Sequence, residues 1–177
     1  MIGESLAQAM NDQIRVELES SYIYLSMAAW LHDRDLDGMA RWMRAQAHEE
    51  MTHAMKFFDH ILDRGSRVIL QDVAQIKTDW SSIQEIWNDT YAHEQLVTSK
   101  INDLLTIARE ERDYQAEPLL NWFIEEQIEE EATASKIAGE IEMVGNDKSA
   151  LLMLDRELGQ RGFPAGSPLD STTPGED

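Results

Sequence analysis

Four long stretches of this chain carry apolar residues at helical spacing, and each stripe is broken near its middle by polar, metal-capable side chains. Residues about 5–32 give the stripe Leu6, Met10, Gln13, Glu17, Ser20, Tyr24, Met27, Leu31. Residues about 37–64 give Met39, Trp42/Met43, Gln46, Glu50, His53, Phe57, Ile61. Residues about 82–110 give Ile83, Trp87, Tyr91, Glu94, Val97, Ile101, and a fourth stretch ending near Val144 gives Leu120, Phe123, Gln127, Glu130, Ala134, Ile137, Ile141. Residues three or four apart share one face of a helix. The stripes therefore place Glu17, Glu50, His53, Glu94, Gln127 and Glu130 in a core at one common height. A chain that folds this way must have something to offset buried charge.

The joints fix how the helices connect. His32–Asp37 is short and polar, so the first two helices form a hairpin. Gly65 suits the stop of the second helix. Residues about 65–81 lack a helical period and form too long a loop for a compact domain unless they cross its whole length. The second helix, at 1.5 Å per residue, is roughly 42 Å long, and about 17 extended residues reach roughly 55 Å. A crossover is therefore expected, leaving helices two and three parallel. Ser82-Ile83-Gln84-Glu85 is a capping box that opens helix three. Pro118 marks the first turn of helix four, and Asn146/Asp147 can cap a short fifth helix at about 147–159. The expected fold is all-α: a four-helix bundle with one long crossover and a short C-terminal helix, spanning residues 1–160. Residues 161–177, rich in Gly, Pro, Ser and Thr, read as a flexible tail.

Composition excludes several classes of function. There is no cysteine, so disulfides, Fe–S clusters, zinc ribbons and thiol nucleophiles are out. The 34 acidic residues outnumber the 15 basic ones, for a formal charge of −19. Such a surface repels nucleic acid and anionic membrane and attracts cations. No apolar run is long enough for a membrane span and no Sec-type leader opens the chain, so a cytoplasmic location is expected.

Energetics decide how the polar layer is read. Four ionised carboxylates buried together are prohibitively costly unless paired, and no Lys or Arg lies on the stripes. Two divalent cations would balance Glu17, Glu50, Glu94 and Glu130. Oxygen ligands with one imidazole suit iron or manganese better than a closed zinc site. The alternative is a set of protonated or solvated core glutamates in an acidic bundle that only scaffolds.

These residues also carry a resemblance. Glu17 with Tyr24, His48-Glu49-Glu50-Met51-Thr52-His53, Tyr91-Ala92-His93-Glu94 and Trp122-Phe123-Ile124-Glu125-Glu126-Gln127-Ile128-Glu129-Glu130-Glu131 resemble the prokaryotic non-haem ferritins over roughly residues 4–160. The resemblance implies a ferroxidase that oxidises Fe(II) with O₂ or H₂O₂ and stores ferric mineral in a hollow shell of twenty-four subunits. It implies that Glu17, Glu50 and His53 hold one iron, that Glu50 bridges, and that Glu94 and Glu130 hold the second, with Gln127 lining the site. It further implies a third iron site at Glu49, Glu126 and Glu129, and an aromatic pair of Tyr24 and Trp122 beside the centre. Glu110, Asp113 and Glu117 match the joint that forms the three-fold pores.

Gln127 is the departure that matters. Bacterioferritins carry a second Glu-x-x-His where this chain has Gln127-Ile128-Glu129-Glu130, so the second iron should bind more weakly and pass through. Met51 matches the haem-ligating methionine of bacterioferritins but is read as interface packing, and no haem is expected. A haem-containing bacterioferritin and a di-iron oxidase without storage are the rival readings. His32, His48, His60 and His93 are read as solvated or supporting, and Trp30, Trp42, Trp80 and Trp87 as packing.

Overall fold

The computed structural model describes residues 2–163. The expected tail lies outside these residues from position 164 onward. Five helices make up the described chain: α1 (Glu4–His32), α2 (Asp37–Asp63), α3 (Ile83–Glu110), α4 (Glu117–Val144) and α5 (Lys148–Leu158). The first four form the bundle, α1 pairing with α2 and α3 with α4, while α5 packs against α2.

The long connection runs along α1 as an extended strap. Asn11 accepts from the Ile69 amide at 2.6 Å and donates to the Arg67 carbonyl at 3.3 Å. Farther along, Glu19 accepts from the Ala74 amide at 3.0 Å, Ser26 donates to the Lys77 carbonyl at 2.8 Å, and the Trp30 indole donates to Asp79 at 2.8 Å. The contacts advance from residue 11 to residue 30 of α1, a rise of roughly 28 Å. This is the expected crossover, and it leaves α2 and α3 parallel. At its end Ser82 caps α3 by accepting from the Glu85 amide at 3.1 Å. The reciprocal half of the capping box is displaced by one residue: Glu85 accepts from the amide and hydroxyl of Ser81, at 2.7 and 2.6 Å.

The N-terminus of α2 has no local side-chain cap. Asp155 of α5 supplies one, accepting from the Met39 amide at 2.8 Å and the Gly38 amide at 3.2 Å, where a carboxylate also meets the favourable end of the helix dipole. The approach requires glycine. A Cβ on Gly38 would lie 1.8 Å from the Asp155 carbonyl oxygen, and one on Gly159 would lie 2.9 Å from the Gly38 Cα.

The core is two apolar clusters with the polar layer between them. One contains Met27, Leu31, Met39, Met43, Trp42, Trp87, Ile137 and Ile141. The other contains Leu6, Met10, Ile14, Phe57, Ile61, Ile101, Leu120 and Phe123, with Phe57 and Phe123 stacked at 4.3 Å. The α3 stripe is shifted slightly from the expected one. Thr90 is fully buried and takes the inward place, while Tyr91 is half-buried.

Candidate metal centre

The polar layer gathers the side chains the stripes pointed to. Ligand atoms of Glu17, Glu50 and His53 lie within 4.8 Å of one another, and so do those of Glu50, Glu94 and Glu130. Glu50 belongs to both groups, which is the position of a bridging carboxylate. Each group is assembled from helices of both hairpins or both halves of a hairpin, so the fold, and no local motif, builds the centre. Glu17, Glu50, His53, Glu94 and Gln127 are buried, and Glu130 is intermediate.

The electrostatics are those of a cation site without enough fixed positive charge. Burial, then repulsion from Glu50, pushes Glu17 up to about 8 from its ordinary 4.5. The same two causes push Glu94 up to about 7 and hold Glu130 well above the usual range. Burial also acts upward on Glu50, but the hydrogen bond and charge of His53 outweigh it and leave Glu50 below its ordinary value. His53 lies with Nδ1 3.4 Å from Glu50. Burial alone would make it less basic, yet the hydrogen bond to Glu50 and the Glu50 charge raise it to about 9. Four carboxylates thus share one imidazolium. Glu17 Oε2 and Glu130 Oε2 are buried without a hydrogen-bond partner among the described residues. Unsatisfied buried carboxylate oxygens are costly, and divalent cations would satisfy both. The donor set fits iron well.

Surrounding residues hold the ligands in place. Gln13 donates to Glu17 at 2.8 Å. Gln46 donates to Glu50 at 2.6 Å and to Glu130 at 2.9 Å, tying the two groups together. Tyr24 is fully buried and donates a hydrogen bond to Glu94. Burial, followed by the Glu94 charge, pushes its phenol well up, so it stays a donor. Gln127 presents its amide nitrogen to Glu94, at 3.3 Å from both the backbone oxygen and Oε2. It therefore orients the Glu94 carboxylate. Trp122 meets the His53 ring edge-on at 5.6 Å, and Lys56 Nζ sits 4.1 Å from the Trp122 ring. His93 bonds Ser20 Oγ at 2.7 Å and meets Tyr24 edge-on at 5.9 Å. Burial lowers its basicity, which suits a neutral supporting role.

The expected third site is less formed. Glu49, Glu126 and Glu129 line a cavity of about 180 Å³ next to Glu94 and Glu130, but they belong to neither close group. Arg161 lies in the same cavity and pairs with Glu49. Of the residues matched to a pore, Asp113 is held by both nitrogen–oxygen contacts of Arg64, at 3.0 and 2.9 Å, and Glu117 pairs with Arg109 at 3.2 Å. Both carboxylates are therefore engaged in joining helix ends. Met51 is 44% exposed on the single chain.

Sequence reasoning undervalued Gln13, Gln46 and Arg161. The two glutamines carried a signal: each precedes a ligand by four residues, Gln13 before Glu17 and Gln46 before Glu50. Arg161 carried none, because it sits in a stretch whose composition reads as tail.

Comparison with known proteins agrees with this geometry. The ferritin family, described as a ferritin-like domain, matches residues 7–144. A probable bacterial non-heme ferritin-like protein of Haemophilus influenzae is 36% identical over 159 residues, covering 90% of this chain and 96% of that protein. A bacterial non-heme ferritin of Staphylococcus aureus is 37% identical over 163 residues, covering 92% of this chain and 98% of its own length. The open-pore ferritin of the archaeon Archaeoglobus fulgidus superposes with a TM-score of 0.90 at 41% identity, covering 92% of this chain and all of that one. With a bundle and a buried Glu/His layer of this kind, the chain belongs to the ferritin family.

Proposed function

We propose that this protein is a ferroxidase and an iron store. Two Fe(II) ions are its substrates, one held by Glu17, Glu50 and His53 and the other by Glu50, Glu94 and Glu130. Each gives one electron, and together they reduce one O₂ to H₂O₂ with uptake of two protons, or one H₂O₂ to two waters. The observation that carries this reading is the shared Glu50, which joins two close ligand groups. A shared carboxylate keeps two metals near enough to act on one oxidant. Tyr24 holds Glu94 and stands beside the centre as a further electron donor. The half without histidine releases its product more readily, which favours onward movement of Fe(III) to a mineral core inside a homo-oligomer of twenty-four subunits. Glu49, Glu126 and Glu129 form a third position on that route. The acidic surface, with net charge −19, supports cation gathering, and the protein works in the cytoplasm without haem.

The test is anaerobic titration with Fe(II) followed by oxygen. About two ions should bind per subunit and oxidise in a fast phase, and sedimentation should give a shell-sized particle. Loading that stops below two ions, or a monomeric or dimeric particle, would remove the oxidation or the storage half of the proposal respectively.

A further inference from the structure

Among the described residues, Arg161 is the only arginine or lysine lining the cavity beside the candidate metal centre, and its position is held from two sides. Before it in the chain, Asp155 and the close pair Gly38–Gly159 lock α5 onto the start of α2. Around it, the guanidinium stacks 4.2 Å from the Trp42 ring, donates to Gln46 Oε1 at 2.8 Å and pairs with Glu49. Its backbone carbonyl accepts from Arg41 Nε at 3.4 Å. The cavity it shares holds Glu49, Glu94, Glu126, Glu129 and Glu130. Two buried atoms there lack partners among the described residues, Arg161 Nη1 and Glu130 Oε2. The guanidinium therefore neutralises the cavity incompletely, and its own donors are not all used.

We propose that Arg161 is a displaceable plug: it occupies the carboxylate cavity in the metal-free protein, and a third divalent cation binds Glu49, Glu126 and Glu129 only as the guanidinium leaves. This deepens the proposed function and rests on it in two respects, that two cations fill the Glu50-centred groups first and that Glu49, Glu126 and Glu129 offer a third position. The physical argument is competition. A guanidinium and a divalent cation in one small cavity repel each other, and Glu49 cannot serve both fully. Gln46 makes the plug sensitive to the centre. Its oxygen accepts from Arg161 while its nitrogen donates to Glu50 and Glu130, so any reorientation of Glu50 or Glu130 towards metal alters the grip on Arg161. The arrangement would keep a third cation out until the first two are in place.

The experiment is anaerobic calorimetric titration of the full chain with Co(II), which does not oxidise, with Trp emission recorded in parallel. Arg161→Gln should bind the third equivalent about five- to tenfold more tightly than wild type. Arg161→Lys, which keeps the charge, should stay close to wild type. In wild type the third equivalent should change the emission of Trp42 as the guanidinium leaves its ring, and Trp42→Phe should abolish that change. A third equivalent of equal or weaker affinity in Arg161→Gln, or none in any variant, overturns the plug. Failure of wild type to take up the first two equivalents would instead overturn the dinuclear reading.

Discussion

The two halves of the centre share Glu50 but are built differently. On one side Glu17, Glu50 and His53 form a group in which an imidazole and a carboxylate hold each other charged. On the other, Glu94 accepts from the uncharged Gln127 amide and Glu130 accepts from Gln46. The contrast lies in the donors more than in the proton affinities. Glu50, common to both halves, is held low by His53, while Glu17 on the first side is pushed up as Glu94 and Glu130 are on the second. Both sides must lose protons to take a metal, Glu17 and His53 on one and Glu94 and Glu130 on the other. What differs is the donor set, since only the first side offers an imidazole nitrogen. Under the proposed ferroxidase reading an unequal pair of sites suits iron in transit, since a centre that bound both ions tightly would keep them.

The largest expected effect comes from destroying the half that carries the imidazole. Glu50→Ala removes a ligand common to both groups, and His53→Ala removes the sole imidazole. Each should slow the first fast phase of Fe(II) oxidation by about a hundredfold or more in stopped-flow absorbance, beyond the loss typical of supporting residues. Next in size is the reverse change. Gln127→His should make the weak half resemble the strong one, tightening the second Co(II) by about tenfold to a hundredfold. Turnover should fall in the same variant, because the second ion leaves slowly. Equal second-site affinity in Gln127→His would break the comparison. Tyr24→Phe should be milder. Glu94 would lose its phenol donor and keep Gln127, and the second Co(II) should weaken by about threefold to tenfold.

The smallest effect is on stability, and its sign is set by protons. Glu17 and Glu94 titrate near 8 and 7 in the folded chain against an ordinary 4.5, and His53 near 9 against 6.5. All three bind protons more tightly folded than unfolded. Their stabilising contribution is complete below the unfolded values and is lost as pH rises through the folded ones. Glu50, shifted the other way, opposes this only at the acidic end. The metal-free protein should therefore melt at progressively lower temperature from about pH 5 to about pH 9. Added Co(II) should reverse the trend, because it replaces the protons. A melting temperature that rises with pH in the metal-free protein would contradict the account of the buried layer.

Much of this was legible in the sequence because helical periodicity is strict. The stripes placed Glu17, Glu50, His53, Glu94, Gln127 and Glu130 in the core, and chain reach alone demanded the crossover that the strap along α1 provides. The resemblance added an order of importance to those residues. What could not be read was whatever depends on three-dimensional approach. The cap that Asp155 gives to α2 joins residues far apart in the chain, as does the contact of Arg161 with Gln46. Asp113 and Glu117 matched a pore-forming joint by resemblance, but their pairing with Arg64 and Arg109 was not legible. Thr90, and not Tyr91, takes the inner face of α3, a one-residue shift that the period of the stripe alone does not resolve. The role of Gln127 was half legible: its place was clear, but which atom it turns towards Glu94 was not.

The inequality of the two halves is tested most directly by anomalous scattering from crystals soaked anaerobically with Co(II) at rising concentration. The position among Glu17, Glu50 and His53 should fill first, and the position among Glu50, Glu94 and Glu130 should follow only at higher metal. Equal filling of the two positions, or filling of the Glu94 side first, would contradict it.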